Sequence, residues 1–152
     1  MLIITGLAGA GKTIALDTLE DLGYYCIDNL PSALLASLVR DFAPKQAQPV
    51  AVAMDSRNAV DLAALPEKIR ELRQQAEIQI LFLTADTDVL VRRYSETRRP
   101  HPLHIRAESA RALPEAIEYE RHLLNPLMNL ADIILDTSGY SVYQLKDRLR
   151  TV

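Results

Sequence analysis

Gly6-Leu7-Ala8-Gly9-Ala10-Gly11-Lys12-Thr13 is the stretch of this chain whose residue types and spacing suit chemistry on a phosphate. Glycine reaches backbone angles closed to other residues, so successive N–H groups can turn inward around an anion. Lys12 is placed to reach β- and γ-phosphates, and the Thr13 hydroxyl to ligate Mg²⁺. A helix beginning here would add its unpaired N–H groups and the positive end of its dipole. Of the 5 glycines in the chain, Gly6, Gly9 and Gly11 fall within six residues. The bland alternative is a fortuitous glycine turn. Against it stands the context, because the motif lies where an apolar strand gives way to a helical pattern.

Carboxylates supply the second set of candidates. Asp28, Asp55, Asp86 and Asp136 each follow a predicted strand. Ligands of open parallel sheets gather at that edge. Asp55 follows Val50-Ala51-Val52-Ala53-Met54, the apolar run ending in Asp that holds Mg²⁺ or its water shell. Asp28 could take a proton from an acceptor hydroxyl or a water. Aspartate after a strand is also a common cap or turn former, and Asp86 reads mainly as the start of a helix.

The third set is basic. Arg92, Arg93, Arg98 and Arg99, with His101-Pro102-Leu103 behind them, make the densest positive patch. Three readings stay open: a lid that stabilises a transferring phosphoryl group, a solvated helix end, or an RNA-phosphate surface. His101 and His104 lack zinc-site spacing with any cysteine.

These groups need elements to position them. Apolar runs at Leu2–Thr5, Tyr24–Ile27, Val50–Met54, Ile78–Leu83 and Ile133–Leu135 predict strands. Helical spacing predicts a helix after the glycine loop to about Leu22, with Ala15, Leu16, Leu19 and Leu22 inward and Gly23 as its stop. Further helices are expected from Pro31 through Phe42, from Pro66 with Leu65, Ile69, Leu72 and Ala76 on one side, and over Thr87 to about Tyr94. Another is expected from Pro114, with Pro126 ending or kinking it. The last begins at a capping box, Ser141 with Gln144, and buries Val142, Leu145 and Leu149. Residues 95–113 break the rhythm. Strand–helix alternation with continuously apolar strands predicts a doubly wound α/β domain on a five-stranded parallel sheet.

The 152 residues fit one domain, and 49% hydrophobic content exclude a disordered or low-complexity chain. The single cysteine, Cys26, excludes an internal disulfide and a cysteine zinc finger. A net charge of −3 argues against a wholly basic nucleic-acid binder. No apolar run reaches transmembrane length and no basic region precedes the first one. A cytoplasmic protein without membrane attachment is the expectation.

The loop, followed by Gly23-Tyr24-Tyr25-Cys26-Ile27-Asp28-Asn29-Leu30-Pro31 and Asp55-Ser56-Arg57-Asn58, resembles the RapZ/YvcJ family of bacterial nucleotide-binding proteins. Arg93-Tyr94-Ser95-Glu96-Thr97-Arg98-Arg99, His101-Pro102-Leu103, Glu120-Arg121 and Asp136-Thr137-Ser138 are similar to it as well. The resemblance implies a P-loop, nucleotide-kinase-like fold that binds and hydrolyses ATP and GTP. It implies ATP at Gly6, Leu7, Ala8, Gly9, Ala10, Gly11, Lys12 and Thr13, and a GTP motif at Asp55, Ser56, Arg57 and Asn58. Physically, that second motif reads as a strand-end sensor of Mg²⁺ and phosphate. The family includes RNase adapters for a small regulatory RNA, working largely through a C-terminal domain. The chain ends at Val152, where the first domain is expected to end, so the RNA and RNase partners are expected outside it. Two departures stand out: Ala8 where Ser is expected, and Pro100 before His-Pro-Leu.

The first functional expectation is a nucleotide-binding, slowly hydrolysing regulatory domain. In it Lys12, Arg98 and Arg99 act on phosphates, and Thr13 and Asp55 hold the metal. A small-molecule kinase with Asp28 as base is the rival. A binding module with a structural nucleotide and an RNA or protein partner is the third. Base preference and homo-oligomer formation are left open.

Overall fold

The computed structural model describes residues 1–55, 59–97 and 113–152. The expectations on Ser56, Arg57, Asn58, Arg98, Arg99, Pro100, His101 and His104 lie outside these residues. The strands are β1 (Leu2–Gly6), β2 (Tyr25–Ile27), β3 (Val50–Ala53), β4 (Gln79–Thr84) and β5 (Ile133–Asp136). They form a parallel sheet in the order β2-β3-β1-β4-β5. The chain leaves the central β1 for one side of the sheet and later crosses to the other, so the reversal of strand order falls at β1. That is the place where an open α/β sheet leaves a crevice for ligands.

The helices are α1 (Lys12–Asp21), α2 (Leu35–Ser37), α3 (Ala59–Arg73), α4 (Thr87–Thr97), α5 (Leu113–Leu130) and α6 (Val142–Leu149). Helix α1 packs on α6, and α5 packs on α3 and α4. Covered on both faces, β1 and β3 bury every residue. Ile3, Ile4, Ile80, Leu81 and Leu83 are at most 1% exposed. Each such side chain contributes about 1.5–3 kcal/mol of burial. At the sheet edge away from the glycine loop, Arg73 donates to the carbonyls of Ile78 (3.2 Å) and Leu130 (3.2 Å) and to Asp132 (2.8 Å).

Several elements differ from expectation. Helix α3 begins at Ala59, so Pro66 lies inside it. The proline deprives the Leu62 carbonyl of its helical partner. The buried stripe of Leu62, Leu65, Ile69 and Leu72 holds the helix together regardless. Pro126 likewise lies inside α5, which runs on to Leu130. The expected helix from Pro31 is a chain of short turns instead: 3₁₀ over Ser32–Leu34, then α2, a π turn over Leu38–Phe42 and 3₁₀ over Ala43–Lys45. Leu38 and Val39, at the start of the π turn, are both buried. Leu22 and Val142 are exposed rather than inward, at 47% and 56%. The Ser141–Gln144 capping box is present, with both reciprocal bonds formed.

Candidate functional site: the glycine loop and its two flanks

The loop joins β1 to α1. Gly6 has φ +139°, and a Cβ there would lie 2.1 Å from the Leu83 carbonyl oxygen. No larger residue fits while β4 runs alongside. The Leu7 N–H donates to that same carbonyl at 3.0 Å. Gly11, at φ +118°, is the N-cap of α1 and brings no capping side chain. The first N–H groups of α1 therefore face the loop without a side-chain cap, the arrangement that suits an anion. Lys12 folds back so that Nζ donates to the Gly6 carbonyl at 2.8 Å, which lays its charge across the loop. Thr13 is exposed in the first turn of α1.

On the β4–β5 flank, protein side chains hold three consecutive loop residues. The Ala8 N–H donates to Glu120 Oε1 at 2.9 Å. Glu120, on α5, is fully buried. Arg93, on α4, donates from Nη1 to the Gly9 carbonyl at 3.0 Å. The same guanidinium donates to the Thr137 hydroxyl at 3.0 Å and to the Thr137 carbonyl at 2.6 Å. The buried Thr137 hydroxyl in turn donates to the Ala10 carbonyl at 2.8 Å. Tyr94 stacks its ring edge against Gly9, 3.3 Å from where a Cβ would stand. Burial, and the Glu120 carboxylate after it, push the Tyr94 phenol well up. Burial lowers the Arg93 guanidinium, which keeps its charge all the same.

A second layer supports this flank. Arg121 donates to the hydroxyls of Thr84 (3.1 Å) and Thr87 (3.2 Å) and to the Ala85 carbonyl. It thereby ties the end of β4 to the start of α4. Asp136 accepts from the Ser138 hydroxyl (2.6 Å) and N–H (2.9 Å), and the Asp86 N–H donates to the same hydroxyl at 2.7 Å. The bonds from Ser138 hold the Asp136 carboxyl below the usual carboxylate range.

The β3 flank is different. Ile4 pairs with Ala53 and the Met54 N–H donates to the Ile4 carbonyl at 2.9 Å, so Asp55 stands level with Gly6. Beside it opens a cleft of about 200 Å³ whose lining includes Asn29, Met54, Asp55, Asp61 and Leu62. Asn29 carries a left-handed backbone, φ +57°. Asp28 is exposed at the end of β2, the sheet's outer strand. Two strand spacings, roughly 10 Å, separate β2 from β1. Asp28 is not among the residues lining the cleft.

The structure thus places Lys12, Thr13 and Asp55 around one loop and sets Asp28 apart. Arg93 turns onto the loop backbone and Thr137 rather than outward over the loop. Sequence reasoning gave Glu120 and Thr137 no role. One signal for Glu120 was present: it falls on the inward stripe with Ile117, Leu124 and Leu127, where a charge is out of place. Nothing in the sequence pointed Thr137 at the loop, 127 residues away.

Residues 1–152 match the family described as RapZ-like N-terminal domain. A nucleotide-binding protein of Dichelobacter nodosus is 57% identical over 149 residues, covering 98% of this chain and 52% of that relative. A nucleotide-binding protein of Polaromonas naphthalenivorans is 50% identical, covering 100% of this chain and 54% of its own. The chain spans about half the length of these curated relatives. Among solved structures, shikimate kinase from Bacteroides thetaiotaomicron is similar with a TM-score of 0.65 at 16% identity, covering 99% of this chain and 94% of its own. Thymidylate kinase from Candida albicans is similar with a TM-score of 0.58 at 14% identity, covering 99% and 88%. The fold is that of the P-loop kinases.

Proposed function

The chain belongs to the RapZ-like N-terminal domain family, and we propose that it is a nucleotide-binding, slowly hydrolysing regulatory domain that takes the phosphates of ATP or GTP in the loop from Gly6 to Thr13. The observation that carries this reading is the loop itself: positive-φ glycines, an N-cap glycine that leaves the α1 N-terminus open, and Lys12 laid across the Gly6 carbonyl. In this reading Lys12 exchanges that carbonyl for a phosphate oxygen, and the N–H groups at the start of α1 orient the same phosphate. Mg²⁺ suits the donors nearby, a threonine hydroxyl and a strand-end carboxylate; Thr13 and Asp55 would hold it. Among the described residues no cluster of three or more metal-ligating side chains is found. A Mg²⁺ here would therefore take most of its ligands from phosphates and water, as this ion commonly does. When bound it supplies charge neutralisation to the β- and γ-phosphates.

Arg98 and Arg99 as phosphate contacts, and Ser56, Arg57 and Asn58 as a phosphate sensor, belong to the same proposal. The resemblance to RNase adapters extends it: in the whole protein, nucleotide state would govern work on an RNA and a ribonuclease. Among the described residues no helix is long and apolar enough to cross a membrane.

A second reading, phosphoryl transfer to a small acceptor, is favoured by the cleft beside Asp55. Asp28, the base expected for it, is exposed and directly precedes Asn29 of the cleft wall. Calorimetric titration with Mg·ATP and Mg·GTP tests the first reading. Lys12→Ala should weaken binding by about tenfold or more, the loss of a charge-assisted bond. Unchanged affinity would sink the phosphate-loop assignment. ADP formation from ATP that depends on an added hydroxyl acceptor, with the phosphoryl group recovered on that acceptor, would favour the kinase.

A further inference from the structure

We propose that Glu120 is a positioning residue for the nucleotide site: its buried carboxylate shapes the phosphate loop from behind without touching the nucleotide, and Arg93 and Thr137 complete the same clasp. The inference rests on the nucleotide reading of the loop. It starts from a charge in an unexpected place. Glu120 shares the inward stripe of α5 with Ile117, Leu124 and Leu127 and is 0% exposed. An apolar side chain would pack there without the desolvation cost that a buried carboxylate carries. Buried polar groups persist where they meet a specific partner. Here one partner is the Ala8 N–H, at 2.9 Å and 112 residues away in the chain.

The next two loop residues are held in the same way. Arg93 binds the Gly9 carbonyl and Thr137 binds the Ala10 carbonyl, and the two side chains bind each other. Three consecutive residues, through the peptide units 7–8, 9–10 and 10–11, are thus held from α5, α4 and the residue after β5. A glycine-rich loop has much conformational freedom to lose. Fixing it beforehand raises the fraction of molecules ready to bind, and apparent affinity scales with that fraction. The groups used by the clasp are one N–H and two carbonyls, and carbonyls are of no use to a phosphate.

The 152-residue chain tests this with Mg·ADP as the probe, by calorimetry, with melting temperature and amide exchange of Ala8 measured alongside. Glu120→Gln keeps an acceptor oxygen and should bind Mg·ADP within about threefold of the parent, whereas Glu120→Ala should weaken it about tenfold or more. Arg73→Met is the control, since it loses three hydrogen bonds at the far edge of the sheet. It should lower the melting temperature and leave Mg·ADP affinity unchanged. Glu120→Ala binding as tightly as the parent overturns the proposal. So does a loss of affinity that tracks melting temperature across all variants. If Glu120→Ala does not fold, Thr137→Val against Thr137→Ser repeats the comparison, with loss expected in the first and retention in the second. If the parent chain binds no nucleotide, the nucleotide reading fails by itself, and the clasp is judged on the Ala8 amide. Protection kept in Glu120→Gln and lost in Glu120→Ala supports it; equal protection in both overturns it.

Discussion

On its β4–β5 side the phosphate loop is gripped by Glu120, Arg93 and Thr137; on its β3 side it borders a cleft of about 200 Å³. The gripping residues come from α5, α4 and the turn after β5, each at least 84 residues from the loop position it holds. The cleft wall includes residues 29–32 together with Met54, Asp55, Asp61, Leu62 and Leu65. One flank spends its polar groups on the backbone of the loop, and the other leaves room beside a strand-end carboxylate. The contrast separates two tasks. Order is imposed from one side, so that a ligand can be met from the other without the loop having to be ordered by that ligand.

The largest effect should come from the residue both flanks share. Gly6→Ala forces a Cβ against the Leu83 carbonyl and requires φ near +139°. Overpacking and backbone strain together should lower stability by about 3–5 kcal/mol, read by urea denaturation. A loss below about 1 kcal/mol would mean that β4 and the loop can part easily. Next comes the gripped flank. Arg93→Ala removes the bonds to Gly9 and Thr137 and should cost about 3 kcal/mol, at roughly 1 kcal/mol for each bond. Arg93→Lys should recover little of that, because its donors sit on one compact nitrogen and lack the planar fork whose two nitrogens reach Gly9 and Thr137. On the open flank, Leu62→Ala enlarges an existing cleft instead of making a closed hole. Its cost should sit at the low end for a buried leucine, about 2 kcal/mol. If Leu62→Ala costs more than Arg93→Ala, the contrast between the flanks is reversed.

The smallest effect concerns pH. Asp136 is held below the ordinary carboxylate range first by the Ser138 hydroxyl. A carboxyl depressed in the folded state adds stability above its unfolded value and loses it as pH falls through the folded value. Ser138→Ala should move the Asp136 titration upward toward the ordinary range, and the acid-dependent part of stability should shrink. Carboxyl NMR titration reads this directly. An unmoved midpoint would mean that the Ser138 N–H alone holds the carboxylate.

Much of the fold was legible because its signals are local. Leu2-Ile3-Ile4, Val50-Ala51-Val52-Ala53 and Ile80-Leu81-Phe82-Leu83 are continuously apolar, as strands covered on both faces commonly are. The capping box at Ser141 and Gln144 needs only four neighbouring residues and formed as expected. The misreadings have tertiary causes. Pro66 looked like a helix start, yet the buried stripe of α3 outweighs one missing hydrogen bond; of the two outcomes expected at Pro126, an end or a kink, the end is ruled out because α5 runs on to Leu130. Val142 looked inward by spacing, but the core ends at Leu145 and Leu149. At the site, the glycine spacing placed Lys12 and Thr13 in the sequence itself, whereas the distance of two strands between β1 and the β2 that ends at Asp28 follows from the sheet order alone.

By itself the sequence determined a doubly wound parallel sheet, a glycine loop at the head of a helix, and the placing of aspartates after strands. Each follows from residue types a few positions apart, because hydrophobic period, φ preference and capping act over one turn or one strand. Only the tertiary structure decided what stands behind the loop. Glu120, Arg93 and Thr137 reach it because β5 pairs with β4, β4 with β1, and α5 packs on α4 and the sheet. Hydrogen bonds between residues 84 to 127 positions apart leave no spacing to read. They exist because packing brings a buried carboxylate, a guanidinium and a hydroxyl to the backbone of three adjacent residues.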